Sequence, residues 1–324
     1  MSSLVFSFNT LAPLIIIAIL GYILKQKGMF NDSLTALFNK YIFYVALPVL
    51  AFRAIAFVDR SSGIHWPFIV FATSALMVVL LIGFLMVPFF RLNDNEKPVV
   101  MQGFVRGNFI IIAIPLSLRL GGEEALSVII LLNVLLIPLS NIMSIYIFKF
   151  FQKEVNGLGS FPVIMRETSR NPIMIGIALG IIALWLQPLW IAAIIEGNFV
   201  YDTLSLLGAT ATPMALLAIG SSLQFGQFNA YIKPILLVTS ARLVVIPISV
   251  FFVAHWVIEW AGTTGYWPTL IAIFASPVAA SSVAVTQGLK GDERIASQLV
   301  LWTTLMSMVT YFIYISYFAN LGYF

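Results

Sequence analysis

Long apolar runs separated by short polar intervals fill this chain of 324 residues, and they constrain its fold more than any motif does. Ten are readable, at approximately 7–25, 34–57, 67–90, 98–120, 124–149, 171–190, 201–223, 232–258, 266–288 and 294–319. About 20 apolar residues in a helix match the hydrocarbon thickness of a bilayer. The expectation is an all-α membrane protein with ten transmembrane helices. Composition agrees: 60% of residues are hydrophobic and 9% charged, where a soluble chain of this length would carry roughly 80 charges. A soluble globule is excluded.

Other function classes fall away on residue counts. With no cysteine and two histidines, His65 and His255, the chain has no thiol nucleophile, no Cys-ligated metal site and no histidine cluster. No cofactor and no metal are expected. The net charge of +4 does not imply a nucleic acid partner, because the basic residues lie mostly in short loops, where they orient a membrane protein. An intramembrane enzyme would need a nucleophile with a base or clustered metal ligands, and spacing offers neither. A receptor would call for an attached signalling domain, and a channel would account less well for the interrupted segments described below. The first segment lacks a basic n-region and a small-residue cleavage site and runs into a second long apolar stretch, so it reads as a retained span rather than a signal peptide.

Lysine and arginine placement sets the expected orientation. Intervals after the odd-numbered segments hold Lys25, Lys27, Lys40, Arg91, Lys97, Lys149, Lys153, Arg166, Arg170, Lys233, Lys290 and Arg294; the opposite side holds Arg53, Arg60 and Arg119. Twelve against three places both termini outside, periplasmic in a bacterial inner membrane, and the central interval in the cytoplasm. That interval separates five segments from five: a first repeat over 1–150, a linker over 151–170 and a second repeat over 171–324. Pro13, Pro48, Pro88 and Pro115 match Pro172, Pro213, Pro247 and Pro277 at offsets of 159, 165, 159 and 162 residues, and Gly21 matches Gly180 at 159. Two copies with an odd number of spans insert with opposite orientation, the inverted-repeat plan of many secondary transporters.

Proline inside a span removes a backbone hydrogen bond, which is tolerated only where protein or a watery cavity satisfies the freed carbonyl. Segment 4 reads Arg106-Gly107-Asn108 through Ile114-Pro115, and segment 9 reads Ser276-Pro277 through Ser281-Ser282. Pro115 and Pro277 could each start a second half-helix, its N–H groups aimed at mid-membrane toward a shared anion; the alternative is a packed kink. Asn108 either binds substrate or hydrogen-bonds between helices. Ser281 and Ser282 either satisfy freed carbonyls or touch substrate. Arg242, near mid-membrane, neutralises an anionic substrate, satisfies the carbonyls of a broken helix, or snorkels to the headgroups. Arg106, nearer the inner surface, reads as snorkelling. Asn133, Asn141, Thr303 and Ser307 read as packing or cavity-lining groups. No acid lies deep in a span; Asp202 and Glu259 fall at outer ends. A paired-aspartate cation antiporter is thereby disfavoured.

These residues resemble the auxin efflux carrier family, the plant PIN-type carriers and their bacterial relatives, within the bile-acid, arsenite and riboflavin transporter superfamily. The resemblance rests on Ala12-Pro13, Gly21-Tyr22, Asn39-Lys40-Tyr41 with Ala46-Leu47-Pro48, Asn108 with Ile114-Pro115, Asn171-Pro172, Pro213-Met214-Ala215-Leu216 with Gly220, Pro277, and Thr303-Thr304-Leu305-Met306-Ser307 with Thr310. It implies ten helices in two inverted five-helix repeats, a scaffold part, a transport part, and helices 4 and 9 crossing at their proline breaks beside the substrate. It also implies a homodimer and a small organic anion as substrate, such as a mono- or dicarboxylate. Carried over by position, Asn108 and Leu47 contact substrate and Pro115 and Pro277 are the crossover prolines. Ile173 stands where plant carriers have a second Asn, and Phe71 to Ala75 holds no acid where they have one. Auxin and a proton role for that acid are not carried over. The expected function is secondary active transport of small organic anions by rocking one part against the other. A sodium-coupled symporter of the bile-acid type is the alternative.

Overall fold

A computed structural model describes residues 3–57, 66–151, 170–190, 198–222, 228–257 and 266–323. The described residues are helical throughout, with one isolated β-bridge and no strand. The first helices are α1 (Ser3–Gln26), α2 (Asp32–Tyr41), α3 (Leu47–Ala56), α4 (Trp66–Met86) and α5 (Glu96–Val105). They are followed by α6 (Ala113–Phe151), α7 (Pro172–Trp190), α8 (Phe199–Ala209), α9 (Ala211–Ser222), α10 (Ile232–Ser240) and α11 (Ile246–Val257). Last come α12 (Tyr266–Phe274), α13 (Ser282–Gly288) and α14 (Glu293–Asn320).

Local chemistry sets many of these boundaries. Asn31 caps α2 by accepting from Leu34 N–H, and Asp292 caps α14 by accepting from Arg294 and Ile295. Two π-turns, Ile42–Ala46 and Ala241–Val245, each stand just before a proline, Pro48 and Pro247. A proline ring clashes with the carbonyl four residues earlier, here Tyr44 and Leu243, and one wide turn relieves that clash without ending the helix. The α6 run turns sharply at Gly121 and Gly122, where Gly122 has φ 65°. This is a conformation open to glycine, so the 113–120 stretch and the long helix after it run as separate rods.

Seven helical runs among the described residues are long and apolar enough to cross a membrane: 3–26, 33–56, 66–89, 113–151, 199–221, 229–256 and 293–320. Of the other three expected spans, segment 6 is the single helix α7, Pro172–Trp190, and segments 4 and 9 are interrupted, at 106–112 and 275–281. The expected linker over 151–170 lies, apart from its two end residues, outside the described residues, as do Arg60, His65 and Glu259.

Packing groups the helices into two sets that also touch each other, α1 on α14 and α3 on α6. In one, α3 packs on α7 and α8, and α1 and α2 pack on α9. In the other, α4 packs on α5, α5 on α6 and α10, α6 on α12, and α14 on α10 and α13. Small residues hold the first set together. A Cβ on Gly21 or Gly220 would collide with the carbonyls of Leu217 or Ala18 between α1 and α9, and one on Gly176 with that of Pro48 between α7 and α3. Such close backbone approach is the usual basis of helix association in lipid.

Candidate functional site

Prolines bound both interruptions. Pro277 would clash with the carbonyl of Ile273, so α12 does not continue through it, and Pro115 would clash with that of Ile111, so α6 does not reach back into the first interruption. α12 ends at Phe274, and α6 begins at Ala113 with Pro115 in its first turn, where a missing N–H costs nothing. Pro277 does not open a half-helix as expected; α13 starts only at Ser282, with Ser281 at its N-cap. Between these ends the two strands of irregular backbone pair as an antiparallel bridge, Gly107 opposite Val278. Asn108 N–H donates to the carbonyl of Pro277 at 2.8 Å, and Ala279 N–H to that of Arg106 at 3.0 Å. The crossing therefore uses the Ala279 amide, one of those after Pro277 that were expected to face an anion.

Irregular backbone at this depth needs partners for every polar group, and three side chains supply them. Arg242 is fully buried. It donates from Nε to Ser276 O at 2.9 Å, from Nη1 to Phe104 O at 3.0 Å, and from Nη2 to Ile273 O at 3.1 Å and Ser276 Oγ at 2.8 Å. Ile273 O is the carbonyl that Pro277 leaves without a helical partner. Asn133 Nδ2 donates to Phe109 O, and Val278 N–H donates to Thr303 Oγ1, both at 3.0 Å. Of the three readings of Arg242, the geometry matches the satisfaction of broken-helix carbonyls: the side chain neither snorkels nor lines the cavity described next.

On the other side of the crossing lies a cavity of about 570 Å³, within the usual range for small-molecule sites. Asn39, Lys40 and Leu47 line it from the α2–α3 helix, Arg106 to Ile111 from the first interruption, Asn141 from α6, Asn171 from the start of α7, and Ala279 to Ser281 from the second interruption. No aspartate or glutamate is among the lining residues. Arg106 is only 8% exposed. Its Nη1 donates to Asn141 Oδ1 at 2.6 Å and its Nη2 to Ser281 Oγ at 3.2 Å, while Nε has no partner among the described residues. Asn108 Oδ1 accepts from Ile111 N–H at 3.1 Å, which leaves its Nδ2 without a partner among the described residues.

The family described as membrane transport protein matches residues 6–315. This chain belongs to that family. A protein of Methanothermobacter thermautotrophicus described as an uncharacterized transporter is 23% identical over 308 residues, covering 94% of this chain and 96% of its own length. A second one, of Methanocaldococcus jannaschii, is 24% identical over 246 residues, 73% of this chain and 75% of its own. The membrane transport protein family and the apolar helices together make this a multi-pass membrane transporter of the auxin efflux carrier type.

Within this membrane transport protein, the expected site residues separate into two groups. Asn108, Leu47 and Ser281 line the cavity. Ile114, Pro115, Ser276, Pro277, Ser282 and Arg242 are not among its lining residues, and they build the crossing or the packing behind it. Ser282 Oγ is buried there without a partner among the described residues. Sequence reasoning missed Arg106 and Lys40. Arg106 read as snorkelling, yet it bonds across the interruption to Asn141 and Ser281; its place immediately before Gly107-Asn108 was the available signal. Lys40 was counted with the loops, yet it lies in the last turn of α2 and lines the cavity.

Proposed function

We propose that this transporter is a secondary active carrier of small organic anions, with ten spans in two inverted five-helix repeats and alternating access between a scaffold part and a transport part. The observation that carries the reading is the cavity beside the crossing. It lies between the two helix sets, has a largely apolar wall carrying amides and two cations, and contains no acid among its described lining residues. A rocking motion of one set against the other would turn such a cavity from one membrane face to the other.

The packing supports the repeat. Gly21 and Gly180, matched at 159 residues, occupy corresponding contacts: Gly21 of α1 against Leu217 of α9, and Gly180 of α7 against Phe52 and Ile55 of α3. First span against second span of the other half occurs in both directions, as a two-fold pseudo-axis in the membrane plane requires. In this reading the chain sits in a bacterial inner membrane as a homodimer, with both termini outside and Asn171 marking the cytoplasmic end of the cavity.

A sodium-coupled symporter would need an oxygen cage for the cation. The carbonyls at the crossing are already taken by Arg242, and no carboxylate joins them among the described residues, which favours a carrier without sodium. Uptake of radiolabelled mono- and dicarboxylates into proteoliposomes, with and without sodium and proton gradients, tests the assignment. Saturable uptake of at least one carboxylate supports it. Absence of uptake and of counterflow for the whole series removes it.

A further inference from the structure

Arg106 and Lys40 face the same cavity from opposite helix sets, and neither has an acidic partner among the described residues. Arg106 stands on the interruption between α5 and α6, in the set that contains the crossing; Lys40 stands on α2, which packs on α9 in the other set. We infer that these two cations form a split anion site, and that a second carboxylate on the substrate, held by Lys40, sets the carrier's selectivity. The inference rests on the function proposed above and specifies the substrate class of the same site.

The two charges do different work because their surroundings differ. Arg106 is almost wholly buried, and its two bonded partners, Asn141 and Ser281, are neutral. A desolvated guanidinium without a counter-charge is strongly unfavourable, and two of its five N–H groups are engaged. The second N–H groups of Nη1 and Nη2 suit the planar, two-point geometry of a carboxylate. Any carboxylate entering the cavity relieves that charge, so Arg106 sets affinity for the class. Lys40 is exposed and makes no hydrogen bond or ion pair among the described residues. Its ammonium is a mobile point charge that gains only when the bound molecule carries a second negative group. A monocarboxylate leaves Lys40 idle; a dicarboxylate touches both helix sets at once and links them through the substrate.

The test compares succinate with butyrate, two acids of equal chain length, on purified protein. Affinity is read by isothermal titration and transport by counterflow in proteoliposomes. The native chain is expected to bind succinate about five-fold or more tightly than butyrate, consistent with one partly exposed ion pair. K40Q is expected to bring that ratio near one. R106Q is expected to lower affinity for both acids by about 30-fold or more, the scale for truncating a buried charge partner, with R106K restoring part of it. Because Arg106 also holds Asn141 and Ser281, R106K and K40Q carry the test if R106Q fails to elute as a folded species. Equal affinity for the two acids in the native chain, or an unchanged ratio in K40Q, overturns the split site while leaving an organic-anion carrier intact. If neither these acids nor any other carboxylate binds or is transported, the inference falls together with the function it rests on.

Discussion

Arg242 grips Ser276 twice, with Nε 2.9 Å from its carbonyl and Nη2 2.8 Å from its hydroxyl, although 34 residues separate them in the chain. The same guanidinium reaches Phe104 O at the end of α5, so one cation ties the C-terminal ends of both interrupted helices. Carbonyls at a helix C-terminus carry partial negative charge. Arg242 supplies there what water would supply in a soluble protein.

Arg242→Gln is therefore expected to act on stability before it acts on substrate. Up to three buried carbonyls lose a charged donor, which costs about 3 kcal/mol or more, read as a lowered melting temperature in detergent. Transport of charged and neutral analogues should fall by the same factor. A normal melting temperature with weakened anion binding alone would assign Arg242 to the substrate instead.

Asn108→Ala should leave the fold nearly intact and stop transport. The lost cap on Ile111 N–H costs about 1 kcal/mol, and the backbone bond from Asn108 N–H to Pro277 O survives the substitution. The expected result is a folded species of native size on gel filtration with counterflow reduced at least about ten-fold. Normal flux in this variant would remove Asn108 from the site.

Gly107→Ala tests the closeness of the crossing. A Cβ there would run into Arg242 Nη2, Ser276 Oγ and the Phe109 ring, and overpacking of this kind costs about 1–3 kcal/mol. Gly28, with φ 74° and open space around it, is the control for a purely conformational penalty of about 1 kcal/mol. Equal loss of melting temperature in the two alanine variants would mean that the crossing yields easily.

Glu123→Gln tests a link between the helix sets away from the cavity. Arg53 Nη2 at the end of α3 donates to both carboxylate oxygens of Glu123, at 2.8 and 3.0 Å, just after the Gly121-Gly122 turn. Nearby, Ser127 Oγ donates to Ala54 O and Arg119 Nη2 to Asn9 O. Glu123 is largely exposed, so its loss should change stability by less than about 1 kcal/mol. If the pair helps close this face, a single cysteine placed at Ala54 of this cysteine-free chain should react with a membrane-impermeant maleimide several-fold faster in the Glu123→Gln background. An unchanged labelling rate would show that the pair does not hold the face shut.

Hydropathy made most of the helices legible, because a backbone in lipid has few ways to satisfy its own polar groups. The gap between segments 4 and 5 fell at the Gly121-Gly122 turn, and Pro115 and Pro277 marked the two interrupted segments. The two arginines were not legible in the same way. Arg106 and Arg242 both lie inside apolar runs, and a run that is apolar on every side has no period to tell which face looks at a cavity. Depth alone left Arg242 with three readings and put Arg106 with the headgroups; in the fold Arg242 holds the carbonyls of the interruptions and Arg106 lines the cavity.

What apolar length and proline position settled is that this chain crosses a membrane repeatedly and breaks two of its helices. Which side of each break holds the cavity, which cation is buried against carbonyls and which is left facing open space depended on contacts between residues more than 30 and as many as 175 positions apart. The reason is physical: a proline forbids a local hydrogen bond wherever it stands, whereas the partner that replaces that bond is chosen by whichever distant side chain the packing brings near.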